Sequence, residues 1–214
     1  MTPAIATFAI LACIQEKPDQ SGLATLKEAM AVLQDGDTSI LTGRREFSGE
    51  FDGDYVVYRE KHSRLRYDYC GYFGDNLGFI LTPKAMAEID GDGNQSLVAL
   101  PKSWGARSEN PNTDSYGGVA VSLLAPVGDI GTFVDLKKDV IPVKDNPGAV
   151  EFTHVSGTKV TVTLLKDKSV SISVPQPGFG GFRPPTTAVD TIRIKAKGVK
   201  FPDWLFAVKA TPPR

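Results

Sequence analysis

The most constraining feature of this sequence is a strict alternation of apolar and charged residues inside the stretch 55–83. Leu65, Tyr67 and Tyr69 occupy every second position there. The charged residues that alternate with them are Arg64, Arg66 and Asp68. Side chains of an extended chain point alternately to opposite sides, so this period of two indicates a strand with one apolar and one solvated face. The stretch therefore predicts a sheet that must bury one side against another part of the protein.

The same pattern predicts a second strand directly after the first. A glycine-rich turn at residues 71–78 interrupts the alternation, and Phe79 and Leu81 then resume it. Pro83 ends the second strand because proline has no amide hydrogen to donate to a neighbouring strand. We therefore expect a strand, a turn and another strand across residues 55–83.

Composition and charge narrow the class of protein. A chain of 214 residues suits a single domain, and its 21 glycines and 15 prolines supply the turns of a sheet-rich fold. With 24 basic and 25 acidic residues, the formal net charge of -1 gives no general attraction to nucleic acid or to an anionic membrane. We expect one domain at residues 21–214 and no nucleic-acid partner.

The preceding residues 1–20 are expected to form a separate apolar segment and linker. Residues 1–14 carry no charge and are shorter than the roughly 20 residues that a membrane-spanning helix needs. They predict export through a short signal segment. Cys13 is the candidate lipidation site, because residues 10–13 resemble a bacterial lipobox. The alternatives for this thiol are a disulfide with Cys70 and a free state.

One amphipathic helix is predicted at residues 21–33, where Leu23, Leu26, Met30 and Leu33 share a face. We expect the helix to precede the sheet and to bury this apolar face. The chain therefore begins with a helix and continues with strands.

Further strands follow from shorter patterns. Residues 39–51 predict one or two strands broken near Gly43 and Gly49, and residues 101–118 predict a long polar loop. The second half of the chain predicts strands at 151–155, 159–165, 169–174 and 191–195, and a final strand in which Trp204, Phe206 and Val208 alternate.

The sequence contains no recognisable catalytic arrangement, so we predict that the protein is not an enzyme. His62 and His154 are expected at the surface. The two cysteines and two histidines have no metal-site spacing, and the run 90–94 lacks the following glycine and glutamate of a calcium loop. We expect a solvated turn at 90–94, with no metal and no cofactor.

Three segments, residues 61–69, 72–83 and 201–213, carry a family resemblance. In these segments the chain resembles the LolA/LolB-like lipoprotein-carrier superfamily. The first is similar to that family's strand of basic and aromatic residues, and the second to its turn and aromatic strand that ends in proline. The third is similar to the family's last strand, which runs into two prolines. The resemblance implies an α+β fold, with a strongly curved antiparallel sheet (an incomplete β-barrel) covered by an N-terminal helix and mid-chain loops or short helices. It also implies a non-enzymatic periplasmic or envelope protein that binds a lipid or an acylated lipoprotein.

The resemblance implies that inward apolar side chains line a ligand cavity. These ligand-binding candidates are Leu65, Tyr67, Tyr69, Phe79, Leu81, Val160, Val162, Leu164, Trp204 and Phe206. Lys61, Arg64 and Arg66 are candidates for contact with an anionic head group or a lid. The expected partner is a lipid or an acylated protein, and the expected state is a monomer.

The same apolar residues would also suit any packed sheet core. The alternative is therefore a structural or interaction module with a filled core. Such a module would dock its partners through loops around Trp104 and residues 179–182.

Overall fold

The computed structural model describes residues 20–60, 63–72, 74, 76–98, 140–153, 158–176 and 186–209. One helix, α1, spans Gln20–Leu33, and a short 3₁₀ helix spans Asp203–Phe206. The strands in chain order are β1 (Thr38–Phe47), β2 (Glu50–Glu60), β3 (Arg64–Gly71), β4 (Asn76–Leu81), β5 (Met86–Ile89), β6 (Gln95–Val98), β7 (Ile141–Pro142), β8 (Ala149–Thr153), β9 (Lys159–Leu164), β10 (Val170–Gln176) and β11 (Thr186–Lys197).

All eleven strands belong to one antiparallel sheet, in the order β6-β5-β4-β3-β2-β1-β11-β10-β9-β8-β7. Two meanders, β1–β6 and β7–β11, are joined where β1 pairs with β11. The edge strands β6 and β7 do not pair with each other, so the curved sheet is open in the described part of the chain. The prediction of a large antiparallel sheet preceded by one helix is confirmed.

The two faces of the sheet differ as the alternation predicts. In β3, Leu65 and Tyr67 are buried, whereas Arg64 and Arg66 on the other side are only partly buried. We call the face of Leu65 and Tyr67 the inner face and the opposite one the outer face. The inner face carries the main apolar core.

Helix α1 packs on the inner face and contacts β7–β11. Its residues Leu26, Ala29, Met30 and Leu33 are buried in one cluster with inner-face side chains from both meanders. The helix ends just before Gly36, whose φ of 83° suits a residue without a side chain. The predicted helix at residues 21–33 agrees with α1 to within one residue.

The predicted interruption of the first strand at Gly43 is wrong, because β1 runs through this position. The predicted break near Gly49 is confirmed, because the chain turns at Ser48 and Gly49, which both adopt positive φ angles. Gly43 lies inside β1, where the ring of Tyr55 packs over it.

The predicted final strand at residues 204–208 is also wrong. The chain forms the 3₁₀ helix there, directly after the extended residue Pro202. Leu205 and Phe206 are buried against Ile80 of β4 and Phe201 in a small cluster on the outer face. Packing of one helical turn onto the sheet, rather than pairing with a sheet edge, buries these aromatic and apolar groups.

Candidate functional site

The structure brings most of the predicted apolar site residues together on the inner face. The fully buried members are Leu65, Tyr67, Phe79, Leu81, Val160 and Val162. Tyr69 and Leu164 are partly buried and pack against the same cluster. Trp204 and Phe206 do not belong to this cluster, since Trp204 is 66% exposed and Phe206 packs on the outer face. Both residues were predicted to face inward from a final strand, and this prediction is wrong because the segment forms a 3₁₀ helix.

The basic candidates Arg64 and Arg66 lie on the outer face and hold the C-terminal segment. Nη1 of Arg64 lies 3.1 Å from Oδ1 of Asp203, and its Nη2 lies 2.8 Å from Oε1 of Glu60. Nη1 of Arg66 donates a hydrogen bond of 3.3 Å to the carbonyl oxygen of Leu205. The sheet therefore separates both guanidinium groups from the inner apolar cluster.

Several predicted features lie outside the described residues, namely Cys13, Lys61, His62, the loop at 101–118 with Trp104, His154 and residues 179–182. Within the described residues, no helix is long and apolar enough to cross a membrane. The same residues contain no cluster of three metal-ligating His, Cys, Asp or Glu side chains. The run 90–94 is a turn in which the Asp90 carboxylate accepts hydrogen bonds from the backbone amides of Asp92 and Asn94.

A buried ion pair near the centre of the inner face was missed by the sequence prediction. Arg45 of β1 and Asp190 of β11 lie opposite each other in the ladder, with side chains only 2% and 1% exposed. Nε and Nη2 of Arg45 each lie 3.0 Å from Oδ1 of Asp190. The sequence did contain a signal, because two consecutive arginines in a strand, Arg44 and Arg45, must point to opposite faces.

Three tyrosines of β2 and β3 surround this ion pair. The guanidinium carbon of Arg45 lies 5.9 Å from the ring centroid of Tyr55 and 5.7 Å from that of Tyr69. The ring of Tyr67 lies between them, with its centroid 5.0 Å from that of Tyr55 and 6.5 Å from that of Tyr69. We call Arg45, Asp190, Tyr55 and Tyr67 the inner polar cluster.

Burial controls the protonation of the inner polar cluster. It raises the pKa of Tyr55 well above its usual value and also raises the pKa of Tyr67. Burial raises the pKa of Asp190 as well, although Arg45 opposes this change. Burial alone would lower the pKa of Arg45, but the neighbouring Asp190 carboxylate holds it above its usual value. The site is therefore an environment that disfavours additional negative charge.

Gly43 makes room for one of these tyrosines. A Cβ atom at Gly43 would lie 2.0 Å from Cζ of the Tyr55 ring, which packs directly over the glycine. Gly53 has a similar role, since a Cβ there would lie 2.6 Å from the Tyr69 hydroxyl and from the carbonyl oxygen of Cys70. Two glycines inside β-strands thus allow the rings to lie flat beside the ion pair.

We expect Gly43→Ala to lower the free energy of unfolding by about 1–3 kcal/mol, because it overpacks a ring that is already buried. Urea denaturation followed by tyrosine fluorescence measures this change. Thr42→Ala, at the adjacent position on the outer face, is the matched control and should have a much smaller effect. Equal unfolding midpoints for Gly43→Ala and the unmodified protein would show that the ring is free to move aside.

A second buried arginine fixes the end of α1. Arg59 of β2 is 1% exposed, and its Nε donates a 3.1 Å hydrogen bond to the hydroxyl of Ser39. Its Nη2 donates to the carbonyl oxygens of Asp35 and Gly36, at 3.2 and 3.4 Å. The chain after a helix presents carbonyl groups that need donors, and Arg59 supplies them. We assign Arg59 a structural role, since it determines where α1 joins the sheet.

The outer face also carries an open depression of about 1050 Å³. Residues that line it include Thr42, Arg44, Arg66, Asp68, Thr191 and Arg193. Two of the arginines already have carboxylate partners, Arg44 with Asp54 at 3.2 Å and Arg66 with Asp68 at 2.9 Å. This charged depression differs in chemistry from the apolar site that the sequence predicted.

Comparison with known proteins finds similarity to solved structures. No family model and no curated protein matches this sequence. A solved structure of a LolA superfamily protein from Nitrosomonas europaea is similar in fold over 87% of this chain and 97% of that chain, with a TM-score of 0.42 and 10% sequence identity. This TM-score is too low for the similarity to indicate a family or a ligand for this chain.

Proposed function

We propose that this protein is a non-enzymatic binder of a lipid or an acylated protein, which it holds against the inner face of the sheet. The observation that carries the proposal is the apolar cluster on that face, which extends over both meanders of an open eleven-stranded sheet. An acyl chain placed there gains about 0.8 kcal/mol for each methylene group that leaves water. Leu65, Phe79 and Val160 are among the proposed contacts, because they are buried members of this cluster.

The width of the sheet supports a ligand rather than a core filled by side chains alone. A barrel of about eight strands is just wide enough to be filled by its own side chains or to hold one small ligand. In the described part of the chain this sheet has eleven strands, and α1 packs mainly against the half formed by β7–β11. The proposed ligand space lies along the inner face of β1–β6, where Leu65, Phe79 and Leu81 are at most 3% exposed, so an acyl chain held there would be shielded from water.

The N-terminal residues support an envelope location in the same proposal. The uncharged segment 1–14 is suited to export, and Cys13 within it is the proposed point of lipid attachment. A membrane anchor at this position would keep the binding domain close to a source of acylated ligands. Loss of labelling by a fatty-acid probe in Cys13→Ser cells, compared with cells that express the unmodified chain, tests the attachment.

Displacement of a fluorescent fatty acid from the purified full chain tests the proposed function. We expect displacement by acylated lipids, together with co-purifying lipid in native mass spectra. A photoactivatable acyl chain should label inner-face positions such as Tyr67 and Val162, and it should not label outer-face positions such as Arg193. Absence of displacement, co-purified lipid and inner-face labelling would refute the proposal and favour the module with a filled core.

A pair of substitutions in β9 separates a ligand space from a filled core. Val162 is 1% exposed on the inner face, whereas the preceding residue Thr161 points to the outer face. We expect Val162→Phe to weaken lipid binding with little loss of stability, because the ring would occupy ligand space. In a filled core the same substitution should instead cost about 1–3 kcal/mol of unfolding free energy. Thr161→Phe is the matched control and should leave lipid binding unchanged.

A further inference from the structure

We propose that a group of exposed cations at one end of β11 docks on the surface of an anionic phospholipid membrane. Six exposed residues form this surface, which we call the basic edge: Lys166, Lys168, Arg193, Lys195, Lys197 and Lys200. The basic edge takes no part in the inner face, so the inference does not depend on the proposed ligand site.

Half of the basic edge is a row of cations along β11. Arg193, Lys195 and Lys197 alternate with residues of the inner face, so all three side chains lie on the outer face. Strand β1 pairs with β11 as far as Lys197, whereas β10 pairs with it only as far as Ile192. Among the described strands, therefore, only β1 lies beside this part of β11, and the three cations are exposed to solvent.

The turn between β9 and β10 adds two lysines next to this row. Lys166 and Lys168 flank Asp167 in the turn. The turn lies beside Arg193, because the first residue of β10 pairs with the residue that precedes Arg193 in β11. The charge of Arg193 also contributes to lowering the pKa of Asp167, although hydrogen bonds from Ser169 have the larger effect. The basic edge thus continues from β11 onto the turn.

Nearby acidic groups neutralise only part of this positive charge. Three exposed carboxylates lie close to the basic edge, those of Asp35, Asp37 and Asp167. The first forms an ion pair with Lys197, and the third accepts hydrogen bonds from the amide and the hydroxyl of Ser169. In the described part of the chain, Arg193 and Lys195 have no carboxylate within ion-pair distance.

This local excess of cations gives the molecule a charge asymmetry. The whole chain has a formal net charge of -1, so the residues outside the basic edge carry an excess of acidic groups. An anionic surface would attract the basic edge and repel the remainder of the protein. The asymmetry therefore favours one orientation, with the end of β11 and the β9–β10 turn towards the surface.

The size and chemistry of the basic edge suit a membrane better than a single anion or a protein. The row from Arg193 to Lys197 alone extends over about 13 Å, which is too far for one phosphate group to bridge. Most of the cations are lysines, whose mobile point charges suit a layer of many phosphates. Leu165, which is 38% exposed beside Lys166, offers an apolar group to the head-group layer. The basic edge contains no aromatic side chain of the kind that usually anchors a protein interface.

The backbone at Lys168 supports a role for this lysine outside the fold. Its φ angle is 62°, in the left-handed region that is unfavourable for a residue with a side chain. Glycine adopts this conformation without the steric cost. The fold therefore gains nothing from a lysine here, whereas the basic edge gains a cation at the end of the turn.

Co-sedimentation of the purified full chain with two kinds of vesicle tests the proposal. One kind contains phosphatidylcholine alone, and the other contains phosphatidylcholine mixed with phosphatidylglycerol that has the same acyl chains. Binding of acyl chains by the inner face, or insertion of a lipid anchor, contributes equally to both. We expect binding to the anionic vesicles to be stronger by roughly tenfold or more, and this difference should disappear at high salt.

The double variant Arg193→Gln/Lys195→Gln removes two cations of the basic edge. We expect its binding to anionic vesicles to fall roughly tenfold. Its thermal unfolding midpoint should stay unchanged, because both side chains are exposed. The matched control Lys27→Gln/Lys159→Gln removes the same charge from exposed positions in α1 and at the opposite end of β9, and it should keep the preference for anionic vesicles.

The variant Lys168→Gly separates docking from a structural role. We expect equal or higher thermal stability, because glycine relieves the unfavourable backbone conformation, together with binding to anionic vesicles that is several-fold weaker. Ser48→Gly relieves a similar conformation in the turn between β1 and β2 without a change of charge. This control should keep the vesicle binding of the unmodified protein.

Four results would overturn the inference. The first is equal binding of the unmodified protein to both kinds of vesicle, and the second is unchanged binding by Arg193→Gln/Lys195→Gln. The third is inhibition by inorganic phosphate that exceeds the inhibition by sodium chloride at equal ionic strength, because the basic edge would then be a site for single anions. The fourth is binding to polyglutamate that is stronger than binding to anionic vesicles, which would indicate an acidic protein as the partner.

Discussion

Replacing Asp190 with alanine is expected to lower the free energy of unfolding by about 3–5 kcal/mol, because it removes the carboxylate that neutralises the buried charge of Arg45. Both side chains are at most 2% exposed, so water cannot replace the lost carboxylate without opening the core. Urea denaturation of the unmodified and substituted proteins measures the change. The adjacent substitution Thr191→Ala, on the outer face of β11, is the control and should stay close to the unmodified protein.

Removing both partners should cost much less than removing one. In the double variant Arg45→Met/Asp190→Leu, apolar side chains of similar size replace the pair, and no charge remains buried. We expect its unfolding free energy to lie well above that of Asp190→Ala. A double variant as unstable as Asp190→Ala would mean that the pair contributes through its shape and its contacts with the tyrosines rather than through its charges.

The substitution Leu26→Ala is expected to lower the free energy of unfolding by about 2–5 kcal/mol, the usual cost of emptying a fully buried leucine site. Leu26 is 0% exposed and belongs to the cluster that joins α1 to the inner face. Lys27→Ala, at the next and exposed position of the helix, should change stability by about 0.5 kcal/mol or less. Chemical denaturation monitored by circular dichroism gives both values.

This prediction also tests whether α1 is an integral part of the fold. A Leu26→Ala variant with an unchanged unfolding midpoint would show that the helix detaches at little cost. In that case Leu26→Ala should differ from Lys27→Ala in lipid binding, because a helix that detaches would change the access of a ligand to the inner face. The expected result is a loss of stability with the helix still in place.

The sequence predicted the inner apolar face well where one local rule is sufficient. Leu65, Tyr67 and Phe79 follow the alternation of β3 and β4, and Val160 and Val162 follow that of β9. Their side chains point inward because the backbone of a strand turns each successive residue to the opposite side. One apolar face buried against the rest of the chain is then the only favourable arrangement.

The same rule was insufficient for the C-terminal segment and for the inner polar cluster. Trp204 and Phe206 alternate in the sequence, yet Phe201 and Leu205 pack with Phe206 on the outer face through one helical turn. The sequence prediction did not place Arg45 on the inner face. Arg44 and Arg45 are adjacent in one strand, so one of the two side chains must point inward. The charge of an arginine alone predicts a surface position. Pairing of β1 with β11 places Asp190 opposite Arg45, and this carboxylate offsets the cost of burying the guanidinium group.

The sequence by itself determined the class of this protein: a single large antiparallel sheet with one amphipathic helix and an apolar inner face. Only the tertiary structure decided which residues meet there, because β1 pairs with β11 across nearly the whole length of the chain. That pairing places Arg45 against Asp190 and brings Tyr55 and Tyr67 around them. Residues 145 positions apart in the sequence leave no local pattern that would show their contact, because non-local pairing depends on how every intervening strand is arranged.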